Sequence, residues 1–245
     1  MEQWNSREGV GNRDAISLLG ILSSGLLPIL IASLFPSRPC FRPPIIRLET
    51  SFGGGKTHNL IAVLHVCRGG IELRVITRFV SPELLPEQPI QKIAGIVGPD
   101  MDVANGIDHG GLRTFTIWGE IAYQIGGQAG YEIVRKSDEQ RTSPGTQVWE
   151  KLIGDEPALI MIDEIAAYLR AAKGTTVGST SLAKQTVAFL MSLIKFVAES
   201  QRAVLVYTLT DSSDAFGKET DELRGTETGT QLVLTAIRCS GARAN

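Results

Sequence analysis

Four short runs of apolar residues stand out along the chain: Ile45 to Glu49, Lys92 to Val97 (KIAGIV), Ala158 to Ile162 (ALIMI) and Ala203 to Leu209 (AVLVYTL). Each is near-continuously apolar rather than alternating, the pattern of strands covered on both faces of a parallel sheet. Glu72 to Val80 is a fifth candidate strand, followed by a Pro-rich link through Pro82, Pro86 and Pro89. Helical periodicity fills the intervals. Lys56 to about Cys67 carries Leu60, Ile61, Val63 and Leu64, and Arg68-Gly69-Gly70 stops it. Thr116 to Ile125 reads as a helix ended by Gly126-Gly127, and Thr146 to Leu152 as a short one after Ser143-Pro144-Gly145. A further helix runs from Ile165 to about Ala172. Leu182 to Glu199 is long and amphipathic, with Leu182, Phe189, Leu190, Leu193, Phe196 and Val197 as its buried stripe. Asp100 to Gly111, Lys173 to Ser179 and Asp211 to Gly217 read as loops. Strands alternating with helices predict an α/β, doubly wound fold with a mainly parallel sheet. Beyond Gly217 the pattern dissolves, and only Gln231 to Ile237 suggests another strand or short helix.

The N-terminus departs from this pattern. No charge occurs from Ala15 to Phe35, a stretch long enough to span a bilayer. Arg7 and Arg13 ahead of it give it some likeness to a signal peptide. Pro28 in mid-run, with Gly20 and Gly25, weakens any helix there. Pro36-Ser37-Arg38-Pro39 and Arg42-Pro43-Pro44 then read as an irregular linker. A buried, poorly ordered or non-native segment is expected rather than a membrane span. The chain divides into an apolar, Pro-rich segment over 1–44, a core over 45–217, and an irregular, truncated-looking tail over 218–245.

With 24 basic and 26 acidic residues, the net charge of −2 provides no global attraction to nucleic acid or anionic membrane. Cys40, Cys67 and Cys239 lie far apart without CxxC spacing. That argues against a structural zinc site or disulfide framework, and makes a cytoplasmic location the expectation. His58, His65 and His109 form no ligand cluster in the sequence.

The chemistry concentrates at strand ends. Thr50-Ser51-Phe52-Gly53-Gly54-Gly55-Lys56-Thr57-His58 joins the first strand to the first helix. A P-loop has Gly, four residues, then Gly-Lys-[Ser/Thr] in that context. Here Gly55-Lys56-Thr57 is intact, while Thr50 occupies the first glycine position. Three consecutive glycines let backbone N–H groups turn inward around phosphate oxygens, and the helix N-terminus adds partial positive charge. In such a loop Lys56 reaches the β- and γ-phosphates and the Thr57 hydroxyl ligates Mg²⁺.

The run Ala158 to Ile162 delivers Asp163 and Glu164 at its end. Carboxylates at the end of a buried strand are costly unless something pairs with them, and a metal-bound triphosphate does so. Asp163 is the expected metal ligand, and Glu164 the residue that orients and polarises the attacking water. The alternative is an acidic pair favouring the N-terminus of the following helix. Thr208 and Thr210 at the end of the last strand point the same way by alternation. Either is a candidate to contact the γ-phosphate or the water, and Thr210 is taken as the catalytic one. In the division of P-loop ATPases with a catalytic glutamate, one strand inserts between the P-loop strand and the acidic strand. At least one of the two candidate strands between the P-loop and Ala158 is expected to fill that place. The long separation of Lys56 from Asp163 predicts an insertion around Asp100 to Arg141.

These segments resemble a prokaryotic family of large predicted ATPases named domain of unknown function 499. The likeness runs through the P-loop region, Thr116-Ile117-Trp118-Gly119-Glu120-Ile121-Ala122-Tyr123, Gly130-Tyr131-Glu132, Arg141-Thr142-Ser143-Pro144-Gly145-Thr146, Leu159 to Glu164, and Tyr168-Leu169. The family resembles this chain in carrying Thr at the position of Thr50. Its members are longer, are similar to AAA+ proteins, and are often encoded beside DNA-methylation and phage-defence genes. The resemblance implies a three-layer α/β/α P-loop fold of AAA+ type, of which this chain is a fragment. It implies ATP and Mg²⁺ as cofactors, and DNA or a DNA-modification or restriction complex as partner. A homo-oligomer is a further expectation; Arg113 and Arg141 are candidates to act across subunits, but nothing in the sequence ranks them above solvated surface arginines. Glu120 is expected to cap its helix rather than face the site. The leading activity is Mg²⁺-dependent ATP hydrolysis driving conformational work. The alternatives are an ATP-binding switch with little turnover and a truncated, non-functional remnant.

Overall fold

The computed structural model describes residues 44–50, 56–69, 82, 85, 86, 88–200 and 202–210. The apolar N-terminal run, the candidate strand over 72–80 and everything after Thr210 lie outside them. The central sheet consists of β1 (Ile45–Thr50), β2 (Lys92–Val97), β5 (Ala158–Asp163) and β8 (Ala203–Thr210), joined in the order β1-β8-β5-β2 with every pairing parallel. Five α-helices accompany it among the described residues: α1 (Lys56–Gly69), α2 (Ile117–Glu139), α3 (Thr146–Ile153), α4 (Ile165–Ala172) and α5 (Leu182–Glu199).

Strand alternation divides the apolar residues between two cores. Ile46, Leu48, Ile93, Leu159, Met161, Val204 and Val206 pack with Leu60, Val63 and Leu64 of α1 on one face. Ile45, Ala94, Ile96, Ile160, Ile162 and Leu205 face the other side, under α2 to α5. Burying both faces is what permits the unbroken apolar runs. The stripe expected on α5 is buried throughout, and Trp118 and Trp149 flank its Phe189 with ring centroids 5.4 and 5.5 Å away.

Four expectations are corrected. The strand inserted between β1 and β5 is β8, whereas Lys92–Val97 pairs on the far side of β5. The helix expected to end at Gly126-Gly127 resumes after them. Gly127 alone leaves helical geometry, at φ 58° and ψ −147°, and α2 continues to Glu139. The positive φ suits glycine, so the pair kinks the helix instead of ending it. The loop over 173–179 contains part of a small hairpin, β6 (Thr176–Val177) with β7 (Thr180–Ser181). The stretch expected as an insertion supplies a second hairpin, β3 (Ile107–Asp108) with β4 (Arg113–Thr114), and then α2, which belongs to the helical layer itself.

β2 has one strand partner among the described residues. Its outer edge is occupied by the Gln124 side chain, which accepts from the Gly95 N–H at 2.8 Å and donates to the Gly95 carbonyl at 3.2 Å. One amide thus satisfies two edge groups that a neighbouring strand would otherwise take. Among the described residues no helix is long and apolar enough to cross a membrane.

Candidate functional site

Alternation decides where the acidic pair goes. Leu159 and Met161 of β5 face α1, so Asp163, two residues on, faces the start of that helix. Val204 and Val206 of β8 bring Thr208 to the same face by the same parity. Asp163 and Thr208 are each 1% exposed. Thr57, the second residue of α1, donates to Asp163 Oδ2 at 2.6 Å. The Thr208 hydroxyl donates to Asp163 Oδ1 at 2.6 Å and accepts from the Glu164 backbone N–H at 2.8 Å. Both oxygens of the buried carboxylate therefore receive a charge-assisted hydrogen bond. Lys56, half-buried, opens the same helix.

Glu164 is exposed and left-handed, at φ 51° and ψ 43°. A non-glycine residue there carries a strain of order 1 kcal/mol. It occupies the N-cap of α4, and its carbonyl accepts from the Ala167 N–H at 3.0 Å. Its side chain makes no capping hydrogen bond. An N-cap residue is usually extended and spends its side chain on the helix. Glu164 does neither, so its carboxylate is left for other work at the end of the sheet.

The structure thus brings together Thr57, Asp163, Glu164 and Thr208, with Lys56 at the same helix start. Ser51, Phe52, Gly53, Gly54 and Gly55 lie outside the described residues, as do the side chains of Thr50, His58 and Thr210. The backbones of Thr50 and Thr210 pair in register at the ends of β1 and β8. Thr208, one of the two threonines considered in β8, contacts the acidic pair.

Residues 37–241 match the model of the DUF499 N-terminal domain. The chain belongs to the DUF499 family. No curated protein and no solved structure matches it significantly.

This DUF499 domain contains two buried polar clusters that sequence reasoning missed. Glu120, 2% exposed, does not cap α2. That task falls to Thr116, which accepts from the Gly119 N–H at 3.1 Å. Glu120 instead accepts from Thr114 Oγ1 at 2.7 Å and Gln124 Nε2 at 2.8 Å, and lies 2.9 Å from His109 Nε2. The His109 ring stacks on Tyr123 at 3.8 Å. Asp138 is fully buried and accepts from Thr116 Oγ1 at 2.5 Å, the Phe115 N–H at 3.0 Å and the Tyr131 hydroxyl at 3.0 Å. Burial raises its pKa above the ordinary carboxylate value, and those three donors only partly offset the rise. The Tyr131 phenol is pushed up in turn, by burial first and by Asp138 second. The signal in the sequence is a polar residue at a core position of a helix, visible only once the α2 face is known.

Arg113 and Arg141 are engaged within this chain. Arg113 pairs with Asp108 at 2.8 Å and donates to the Asn105 carbonyl at 2.8 Å. Arg141 donates to the Ala104 carbonyl at 3.2 Å and lies over the Phe115 ring. Both stitch the lead-in of α2 in place. Cys67 is a buried free thiol whose pKa burial pushes up, which keeps it protonated and unreactive.

Proposed function

We propose that this domain binds ATP with Mg²⁺ and hydrolyses it, on an AAA+-like P-loop fold. The observation that carries the reading is the 2.6 Å hydrogen bond from Thr57 to Asp163, across 106 positions of sequence. It joins the hydroxyl expected on the metal from the glycine-rich turn to the carboxylate expected there from the acidic strand. Two unrelated segments converge on one point at the carboxyl ends of parallel strands, where ligands of open α/β sheets bind. The strand order adds support. One strand does separate β1 from β5, as in P-loop ATPases with a catalytic glutamate, although it is β8, which follows the acidic pair in the chain, and not a strand preceding it.

A hydroxyl and a carboxylate are hard oxygen donors and fit Mg²⁺. Bound there with the nucleotide, the ion would neutralise charge on the phosphate oxygens. In this reading Lys56 and the backbone of the glycine-rich turn hold the phosphates, and Thr57 and Asp163 hold the metal. Thr208 keeps Asp163 oriented, and Glu164, exposed and uncommitted to the helix cap, orients and polarises water. The partner on which hydrolysis acts follows the family resemblance, as DNA or a DNA-modification complex.

MgATP binding and turnover by the chain, by Lys56→Ala and by Glu164→Gln test this reading. Lys56→Ala is expected to lose binding. Glu164→Gln is expected to keep it while turnover falls by about a hundredfold or more. Unchanged affinity in Lys56→Ala would sink the phosphate site, and wild-type turnover in Glu164→Gln would remove Glu164 from its role.

A further inference from the structure

Glu164 is held in its unusual conformation from three directions, and one of them is a glycine just past the end of a neighbouring strand. Val97, the last residue of β2, is in register with Asp163, so Gly98 arrives beside Glu164. A Cβ on Gly98 would lie 2.3 Å from the Glu164 carbonyl oxygen, 3.0 Å from its carbon and 3.3 Å from the Asp163 carbonyl oxygen. These are backbone atoms, so no side-chain rotation relieves the clash. Gly98 is not among the glycines with positive φ. The position therefore needs glycine for space and not for conformation. It is buried, and it opens the short 3₁₀ turn Gly98–Asp100 that fixes the end of β2.

The other two restraints act on the same residue. The Glu164 N–H is taken by Thr208 Oγ1 from β8 at 2.8 Å, and its carbonyl by the Ala167 N–H at 3.0 Å. Both peptide groups of Glu164 are thus fixed, by the strands on either side of β5 and by its own helix. Freed from this clamp, a residue at the start of α4 would relax to the extended N-cap geometry, where a carboxylate turns back onto the first N–H groups of the helix. Strain at one residue persists only where its surroundings over-determine it.

We infer that Gly98 is a positioning residue for Glu164: by letting β2 press against the Glu164 carbonyl, it and Thr208 keep the carboxylate out of the helix cap and available to water. This rests on the proposed hydrolysis. It adds that β2, which contributes no group to the phosphates in that reading, sets the rate of the water step.

The test compares the full chain with Gly98→Ala, Glu164→Gln, the Gly98→Ala/Glu164→Gln double variant, Thr208→Val and Thr208→Ser, measuring MgATP affinity and kcat separately. Gly98→Ala is expected to keep affinity within about threefold while kcat falls about tenfold or more. The double variant is expected to be no slower than Glu164→Gln alone, because Gly98 acts through that carboxylate. Should Gly98→Ala not fold, the Thr208 pair decides. Val loses the acceptor for the Glu164 N–H together with a donor to Asp163 and is expected to lose kcat, and Ser, which keeps both hydrogen bonds, to restore it. A Gly98→Ala protein with wild-type kcat, or one whose only loss is affinity, overturns the inference while leaving the ATPase reading intact. So does a double variant slowed well beyond Glu164→Gln, or Thr208→Val with wild-type kcat. Absence of MgATP binding or of Glu164-dependent turnover in the unsubstituted chain defeats the ATPase reading itself, and this inference with it.

Discussion

Asp163 shows why a buried carboxylate ends the central strand. At 1% exposure its charge has lost nearly all contact with water, a cost of several kcal/mol for an unpaired ion. Two hydroxyl donors, Thr57 and Thr208, offset part of it. Thr57 serves Asp163 here and the metal in the proposed complex, so the same carboxylate is prepared for a cation. Asp163→Asn keeps the shape but not the charge. It is expected to bind ATP alone about as the parent does and to lose most of the gain in affinity that added Mg²⁺ confers. Nucleotide titrations with Mg²⁺ and with chelator measure that gain. An undiminished Mg²⁺ effect would show that Asp163 is not a metal ligand. At this scale the acidic pair was legible because an apolar run ended on it. Alternation assigns Thr208 and Thr210 to one face, so nothing local says which reaches the acidic pair; Thr208 does so, and the Thr210 side chain lies outside the described residues. Glu120 was misread for a related reason. A glutamate near a helix start has a cheap local use as a cap, and nothing local reveals that His109, Thr114 and Gln124 enclose it.

Among the elements, those built from long apolar runs were legible and those built from side-chain networks were not. β1, β2, β5, β8 and α5 announce themselves by composition. The two-residue strands β3, β4, β6 and β7 are too short for any period to register. The place of β2 could not be read either. Sequence order makes it a candidate for the gap beside β1, whereas β8, later in the chain, takes that gap. The far end of α2 is tied to its beginning by Asp138, which gathers donors from Phe115, Thr116 and Tyr131. Gly119 makes room for it, since a Cβ there would lie 2.1 Å from Asp138 Oδ1. The raised pKa of Asp138 has a consequence for stability. Its folded-state pKa exceeds the unfolded one, so between the two values the native state binds more protons than the unfolded chain. The contribution is full below the ordinary aspartate pKa and is lost as pH rises through the folded value. Asp138→Asn removes that titration. Urea midpoints of the two proteins, measured from acid to neutral pH, are expected to show parent stability falling relative to the variant as pH rises through that window. A difference constant with pH would show that Asp138 titrates as an ordinary exposed carboxylate does.

For the whole molecule, the site lies where elements distant in sequence meet: α1 following β1, the ends of β5 and β8, and β2 bearing on Glu164. A ligand held by Lys56, Thr57 and Asp163 therefore joins parts that separate on unfolding, and an unfolded chain offers it no such site. Binding to the native state alone stabilises by about 2.7 kcal/mol at a ligand concentration a hundred times Kd. For a domain of this size, each kcal/mol raises Tm by roughly 2–4 °C. Saturating MgATP should accordingly raise Tm by about 5–10 °C. The variants should divide by mechanism. Lys56→Ala loses the shift because it loses the phosphates, and chelation of Mg²⁺ reduces it. Glu164→Gln retains it, since Glu164 acts on water and not on the nucleotide. Thermal melts of the three proteins with and without MgATP provide the comparison. A shift that survives Lys56→Ala would place the nucleotide elsewhere on the molecule. A shift lost in Glu164→Gln would make Glu164 part of the binding site, and its strained backbone a device for affinity instead of rate.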